Sequence, residues 1–269
     1  MDSDEFVERP PAPALRRYVR RLQGYREYSA RPRRRLQAPV GSCALILSFG
    51  ERLRLYGPAG PTVARSFLAG MHDAAVRTEF HGHQAGMQVD LSPLGAFVLL
   101  RRPMAELTNE VPELDLLDDP ELAALADRLA GDPGWAARFA RLESFLGARL
   151  LAGAAREPDP EVAHAWQLLV HRSGDVGIEA LAAETGWSRR HLLTRFRSQV
   201  GLAPKTAARV LRFERASRLV VARPDLAGVA ADCGYSDQAH LTREFRALAG
   251  VTPTGYRRAF LQDAPVTAS

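Results

Sequence analysis

One pattern, present twice, constrains this chain more than any other feature. Leu181, Ala182 and Gly186 return 48 positions later as Val229, Ala230 and Gly234. Past the glycine the offset becomes 49, and Leu192, Phe196, Arg197, Gly201 and Pro204 return as Leu241, Phe245, Arg246, Gly250 and Pro253. In the first copy, Ile178 to Glu184 reads as a short helix with Leu181 and Ala182 inward. Gly186 supplies the turn, where a positive φ is needed. Ser188 caps the next helix, Arg189 to Gln199, whose Leu192 and Phe196 stand four apart on the core side. Helix, glycine turn and second amphipathic helix make a helix-turn-helix unit. The change of offset gives the second unit one extra turn residue and puts Asp237, not Ser236, in the place of Ser188. Between the units, Ala203 to Ala222 predicts a helix about 30 Å long. That approaches the ~34 Å between successive major-groove openings on one face of a DNA duplex.

The polar faces of the second helices fit such a partner. Arg190, Leu193 and Thr194 share the face opposite Leu192 and Phe196, and Ala239, Thr242 and Arg243 are their counterparts, with Gln238 and His240 near the helix start. Arginine can bond a guanine edge through two hydrogen bonds, glutamine an adenine edge, and threonine can touch a thymine methyl. The candidate base contacts are therefore Arg190, Thr194, Gln238, His240, Thr242 and Arg243. Arg189, Arg195, Arg197, Arg246, Arg257 and Arg258 suit phosphate, which positions a protein without specifying sequence. Residues 188–199 hold four arginines and no acid. Arg209, Arg212, Arg215 and Arg218 recur every third residue along the joining helix, as a ridge expected to be solvated or salt-bridged.

Charge supports an anionic partner without demanding one. The chain of 269 residues carries a net charge of +5, of which +4 falls in residues 156–263. Lys205 is the only lysine, so nearly every cation is a guanidinium. No apolar run reaches the ~18 residues of a membrane span. The acidic start M-D-S-D-E-F has no apolar core of a secretory signal. Cys43 and Cys233 have neither disulfide nor zinc spacing and are expected to be buried thiols.

The N-terminal part reads differently. Residues 1–13 predict a loose arm, Leu15 to Leu22 a short helix, and Arg31, Arg33, Arg34 and Arg35 a solvated basic loop. From 39 to 91 the chain predicts short strands: Cys43–Phe49, Leu53–Tyr56, Phe67–Ala69, Ala74–Phe80 and Gly86–Leu91, punctuated by glycines. These suggest a small antiparallel barrel or sandwich, able to hold a ligand in its mouth. Helices follow over 94–151, with Leu122, Leu125 and Leu129 on one stripe and Trp135, Phe139, Leu142, Leu146 and Leu150 on another. They are expected to cover the barrel or to pair two subunits. His81 and His83 would share one strand face, the arrangement of a cupin metal site, but no carboxylate follows to complete the set. No cofactor, metal ligand or catalytic residue is assigned.

The module from about Glu161 to Gln262, about 100 residues, resembles the DNA-binding domain of AraC/XylS-type transcription regulators, and its second unit carries the signature as G-Y-S-D-Q-A-H-L-T-R-E-F-R followed by G-V-T-P-T-G-Y-R. Ala239 stands where that family often has serine and Leu241 where it often has phenylalanine; both keep the packing. The stretches S-F-L-A-G-M-H-D, V-D-L-S-P-L-G-A and P-M-A-E-L resemble an N-terminal domain often fused to it in actinobacterial regulators. The resemblance implies an α+β chain: a sensing or dimerisation domain over 1–152, a linker over 153–160, and an all-α domain of two helix-turn-helix units over 161–262. It implies a cytoplasmic, nucleoid-associated, non-enzymatic regulator that binds double-stranded DNA. A small-molecule effector, RNA polymerase and a second copy of the chain are its further expected partners. The alternative is a cupin-like N-terminal domain that binds a small molecule or metal, or acts as an enzyme, with DNA binding secondary.

Overall fold

The computed structural model describes residues 4–58, 60–151 and 157–263, with residues 262 and 263 described by backbone alone. The N-terminal part is one seven-stranded antiparallel sheet: β1 (Glu5–Arg9), β2 (Val19–Gln37), β3 (Cys43–Ser48), β4 (Leu53–Gly57), β5 (Gly60–Ala64), β6 (Phe67–Ala69) and β7 (Val76–Leu91). The order is β1-β2-β7-β3-β6, with β4 paired to the first part of β7 and β5 paired to β4. The sheet therefore begins at Glu5, not at Pro39. Residues 5–9 are a strand rather than a loose arm, because Phe6, Val7 and their neighbours pair with β2 in register from Glu5↔Arg26 to Arg9↔Leu22. The helix expected over Leu15–Leu22 is a single 3₁₀ turn, Pro13–Leu15, before β2 starts.

The basic run is likewise strand, not loop. Arg34 stands opposite Glu79 and donates to it at 2.6 Å, while Arg35 donates to both carboxylate oxygens of Glu27 at 2.8 and 2.6 Å. Acidic cross-strand and same-face partners let a sheet hold guanidiniums that a periodicity argument assigns to solvent. The two strands expected over 74–80 and 86–91 are one, β7, which continues through Gly82 at φ +76°.

Strand alternation gives the sheet two different faces. Leu22, Leu45, Leu47, Met87, Val89 and Leu91 point to one side and are fully buried. Against them pack α1 (Pro93–Leu100), α2 (Pro120–Ala123), α3 (Leu125–Ala130) and α4 (Trp135–Leu151), through Leu122, Leu125, Leu129, Phe139, Leu142, Leu146 and Leu150. The helices thus cover the sheet. The linker expected over 153–160 falls partly on residues 152–156, which lie outside the described residues; Asp159 already precedes the next helix.

The C-terminal part is all helix: α5 (Pro160–His171), α6 (Ile178–Thr185), α7 (Arg189–Val200), α8 (Pro204–Ala222), α9 (Leu226–Asp232), α10 (Gln238–Ala249) and α11 (Pro253–Asp263). Its two units join the rest unequally. Leu181, Leu192, Phe196, Val200 and the first half of α8 belong to the same buried cluster as the N-terminal domain. Phe213, Val220, Val229, Leu241, Phe245 and Leu248 form a cluster of their own, touched by Leu36 and Ala38 of the sheet domain. Cys43 and Cys233 are free and buried; burial pushes the Cys43 thiol up to about 12.

Candidate nucleic-acid interface

In the first unit, α6 ends at Gly186, whose φ of +67° closes the turn. Ser188 then accepts a hydrogen bond from His191 N at 3.3 Å and starts α7. Leu192 and Phe196 are fully buried, with Trp166 of α5 tilted against Phe196 at 6.4 Å. The opposite face carries Arg190, Leu193, Thr194 and Arg197, all exposed. Thr194 donates its hydroxyl to Arg190 O at 3.0 Å, so its methyl is the group left to meet a partner. Arg190 and Arg197 have no ion-pair partner among the described residues, whereas Arg189 pairs with Glu179 at 3.0 Å. Arg195 donates to both oxygens of Asp159 at 2.6 and 2.9 Å, a contact that holds the Asp159 carboxyl below the usual carboxylate range.

The second unit is built the same way with a stronger cap. Gly234 turns at φ +70°, and Asp237 accepts from His240 N at 2.6 Å. That backbone bond at a helix N-terminus depresses the Asp237 carboxyl. Phe245 packs on Phe213 at 4.8 Å and on Tyr256 at 5.6 Å. Gln238, Arg243 and Arg246 are exposed, and Thr242 is half-buried and donates to Gln238 O at 2.9 Å. His240 is half-buried, edge-on to Tyr235, with Nδ1 3.2 Å from Ser236 Oγ and 3.3 Å from Ser236 N. One of its ring nitrogens therefore serves the turn, and only Nε2 is left for a base.

Arg257, expected to suit phosphate, already has partners within the fold. Its half-buried guanidinium donates to Val220 O at 2.6 Å and to Arg223 O, satisfying carbonyls that the C-terminus of α8 leaves open. Arg258, beside it, is exposed. The ridge on α8 is mostly paired as expected: Arg209 with Glu244 at 2.6 Å, Arg218 with Glu214 at 3.2 Å, and Arg212 on Gly174 O at 3.2 Å. Arg215 is exposed. With 19 residues, α8 spans about 28 Å.

Contacts with the N-terminal domain are made at two points in the middle of this module. Thr108 donates to Gly201 O at 2.8 Å, at the end of α7. Glu214, midway along α8, accepts from Gly41 N at 2.9 Å in the loop between β2 and β3. That loop rims a cavity of about 590 Å³ on the open face of the sheet, and Glu214 and Arg218 line its wall. Helical periodicity does not single out Glu214 or Thr108, since each bonds a backbone group that no pattern locates. The cavity had a visible signal: Gln23, Tyr25 and Glu27, and again Gln84, Gln88 and Asp90, are polar residues at alternate strand positions. His81 and His83 are exposed; His83 lies against Tyr28 at 4.6 Å. No group of three or more His, Cys, Asp or Glu side chains that could hold a metal occurs among the described residues. No helix among them is long and apolar enough to cross a membrane.

Residues 181–259 match a family model described as a helix-turn-helix domain, and residues 7–113 match a domain of unknown function, DUF6597. The F1 operon positive regulatory protein of Yersinia pestis is 36% identical over 83 residues, 30% of this chain and 28% of that protein. The HTH-type transcriptional regulator MtrA of Neisseria gonorrhoeae is 29% identical over 102 residues, 37% of this chain and 34% of its own. The chain thus spans about a third of the length of these curated relatives. The crystal structure of ToxT from Vibrio cholerae O395 shares the fold, with a TM-score of 0.50 at 10% identity, covering 99% of both chains.

Proposed function

Because the chain carries an AraC-type helix-turn-helix domain behind a DUF6597 domain, we propose that it is a sequence-specific, non-enzymatic regulator of transcription that binds double-stranded DNA. One observation carries this reading: two capped recognition helices of the same construction, α7 and α10, packed on a single helix about 28 Å long. A spacing near one helical turn suits adjacent major grooves of one duplex. Arg190 and Arg243 would bond guanine edges, Gln238 an adenine edge and His240 a base acceptor or donor through Nε2. Thr194 and Thr242, with hydroxyls turned back to the helix, would offer methyls to thymine. Arg189, Arg197 and Arg246 would neutralise phosphates, joined by Arg195 when it leaves Asp159.

Binding to a random-sequence duplex library tests this. Enrichment of a site with two half-elements about one helical turn apart is expected; a specificity ratio near one over bulk DNA overturns it. The N-terminal domain would sense a small molecule in the sheet cavity. The support is that Glu214 and Arg218 of α8 line that cavity, so an occupant would touch the helix that carries both reading heads. The reading places the protein with the nucleoid in the cytoplasm, and gives it RNA polymerase and a second copy of itself as further partners. Co-sedimentation on the enriched site would display both.

A further inference from the structure

The cavity on the open face of the sheet has a definite chemistry. Its volume of about 590 Å³ lies in the range of drug-sized ligand sites. One end is apolar, lined by Ile46, Leu55, Phe67 and Val76, which pack as a small cluster of their own. The other end is polar, and there the charges other than Arg20 are already paired. Arg21 pairs with Asp90 at 2.8 Å, Arg35 with Glu27 at 2.6 Å, and Arg218 with Glu214 at 3.2 Å. A charged ligand would have to break one of these pairs or be desolvated without compensation, and either is costly. Arg20, also at the wall, is exposed to solvent.

Among the groups left over are two amide acceptors, beside the buried His72 imidazole, whose ring nitrogens have no hydrogen-bond partner. Gln23 and Gln88 stand opposite each other in the β2–β7 register, and both line the cavity. Each amide is anchored through its nitrogen: Gln23 Nε2 donates to Glu8 at 3.3 Å and Gln88 Nε2 to Asp90 at 2.7 Å. Neither side-chain carbonyl oxygen accepts a hydrogen bond from any described residue. Beside them lies a flat surface. The phenol end of Tyr25 sits where a Cβ on Gly86 would be, 2.7 Å away, so the ring crosses the sheet over that glycine. Burial raises the Tyr25 phenol, which keeps it neutral.

We propose that this cavity takes an uncharged, flat, largely apolar molecule that brings an N–H or O–H donor to the side-chain carbonyls of Gln23 and Gln88. The inference rests on the cavity as the sensing site, but its test contains no DNA, so it fails or succeeds separately from the operator reading. The full chain is titrated calorimetrically with three probes of one shape: indole, 1-methylindole and indole-3-acetate. Indole has a donor and no charge, 1-methylindole has no donor, and indole-3-acetate has a charge. Indole should bind saturably and at least about tenfold more tightly than either, the worth of one ordinary hydrogen bond. Gln88→Leu should bring the indole to 1-methylindole ratio toward one while leaving 1-methylindole affinity unchanged. Gln23→Leu should do the same, and carries the test if Gln88→Leu does not fold. Equal affinity for indole and 1-methylindole overturns the proposal, and so does the absence of saturable binding by all three. Tightest binding of indole-3-acetate also overturns it and makes this an anion site.

Discussion

The two reading heads share a plan and differ in what holds them. The first, α6 and α7, is an extension of the N-terminal domain's core: Phe196 and Val200 share one buried cluster with Leu22 and Leu91 of the sheet. The second, α9 and α10, has a private core around Phe213, Phe245 and Tyr256. The caps differ too, a neutral serine at 3.3 Å against a carboxylate at 2.6 Å. A duplicated motif therefore need not be a duplicated stability. The first head borrows its packing from another domain, and the second compensates with edge-on and tilted aromatic contacts, a charged cap and the Arg257 clamp on α8.

Core truncation should expose this difference most strongly. Phe196→Ala and Phe245→Ala should each cost about 3–5 kcal/mol. Scanning calorimetry should show Phe196→Ala lowering the main transition shared with the sheet domain. Phe245→Ala should split off a second, earlier transition for α9–α11 and leave the main one in place. A single transition shifted equally by both variants would erase the distinction between the heads.

Next in size is base reading. Arg243→Ala should cost about 1–3 kcal/mol and relax preference at one base pair of one half-element, and Arg190→Ala should do the same in the other. Selection from a randomised operator measures both. A uniform loss across all sequences would recast either arginine as a phosphate contact.

The caps come third. Asp237→Ala should cost about 1–2 kcal/mol, and Ser188→Ala nearer 0.5 kcal/mol, within the usual span for N-caps. Chemical denaturation of the two variants would read the difference, and equal losses would show that the carboxylate adds nothing over the hydroxyl.

Smallest is the tie between Asp159 and Arg195. The guanidinium holds the Asp159 carboxyl below its ordinary value. Its contribution is thus fully present above the ordinary carboxylate pKa and is lost as pH falls through the lowered one. Both side chains are partly exposed, so screening limits the effect to under about 1 kcal/mol. Asp159→Asn should flatten that part of the stability profile below about pH 4, and it should free Arg195 for phosphate, steepening the salt dependence of DNA binding.

Much of the helical module was legible from residue order alone. Gly186 and Gly234 mark turns because few other residues take a positive φ at low cost. Ser188 and Asp237 cap because their oxygens reach backbone N–H groups three residues on, and Phe196 and Phe245 face inward by helical period. These are local relations, complete within a dozen residues. The sheet was less legible. A strand such as β2 has its charges explained by Glu27 and Glu79, the second 45 residues from the Arg34 it meets, and read in isolation it looks like a loop.

The sequence by itself determined the repeat, its turns and caps, and the arginine-rich faces of α7 and α10, because these follow from spacing along one helix. Only the tertiary structure decided which head shares the sheet domain's core, that Arg257 closes α8, and that Glu214 reaches Gly41 at the mouth of a cavity. Those depend on distances between residues far apart in the chain. No period encodes such distances, and only packing brings them within hydrogen-bonding reach.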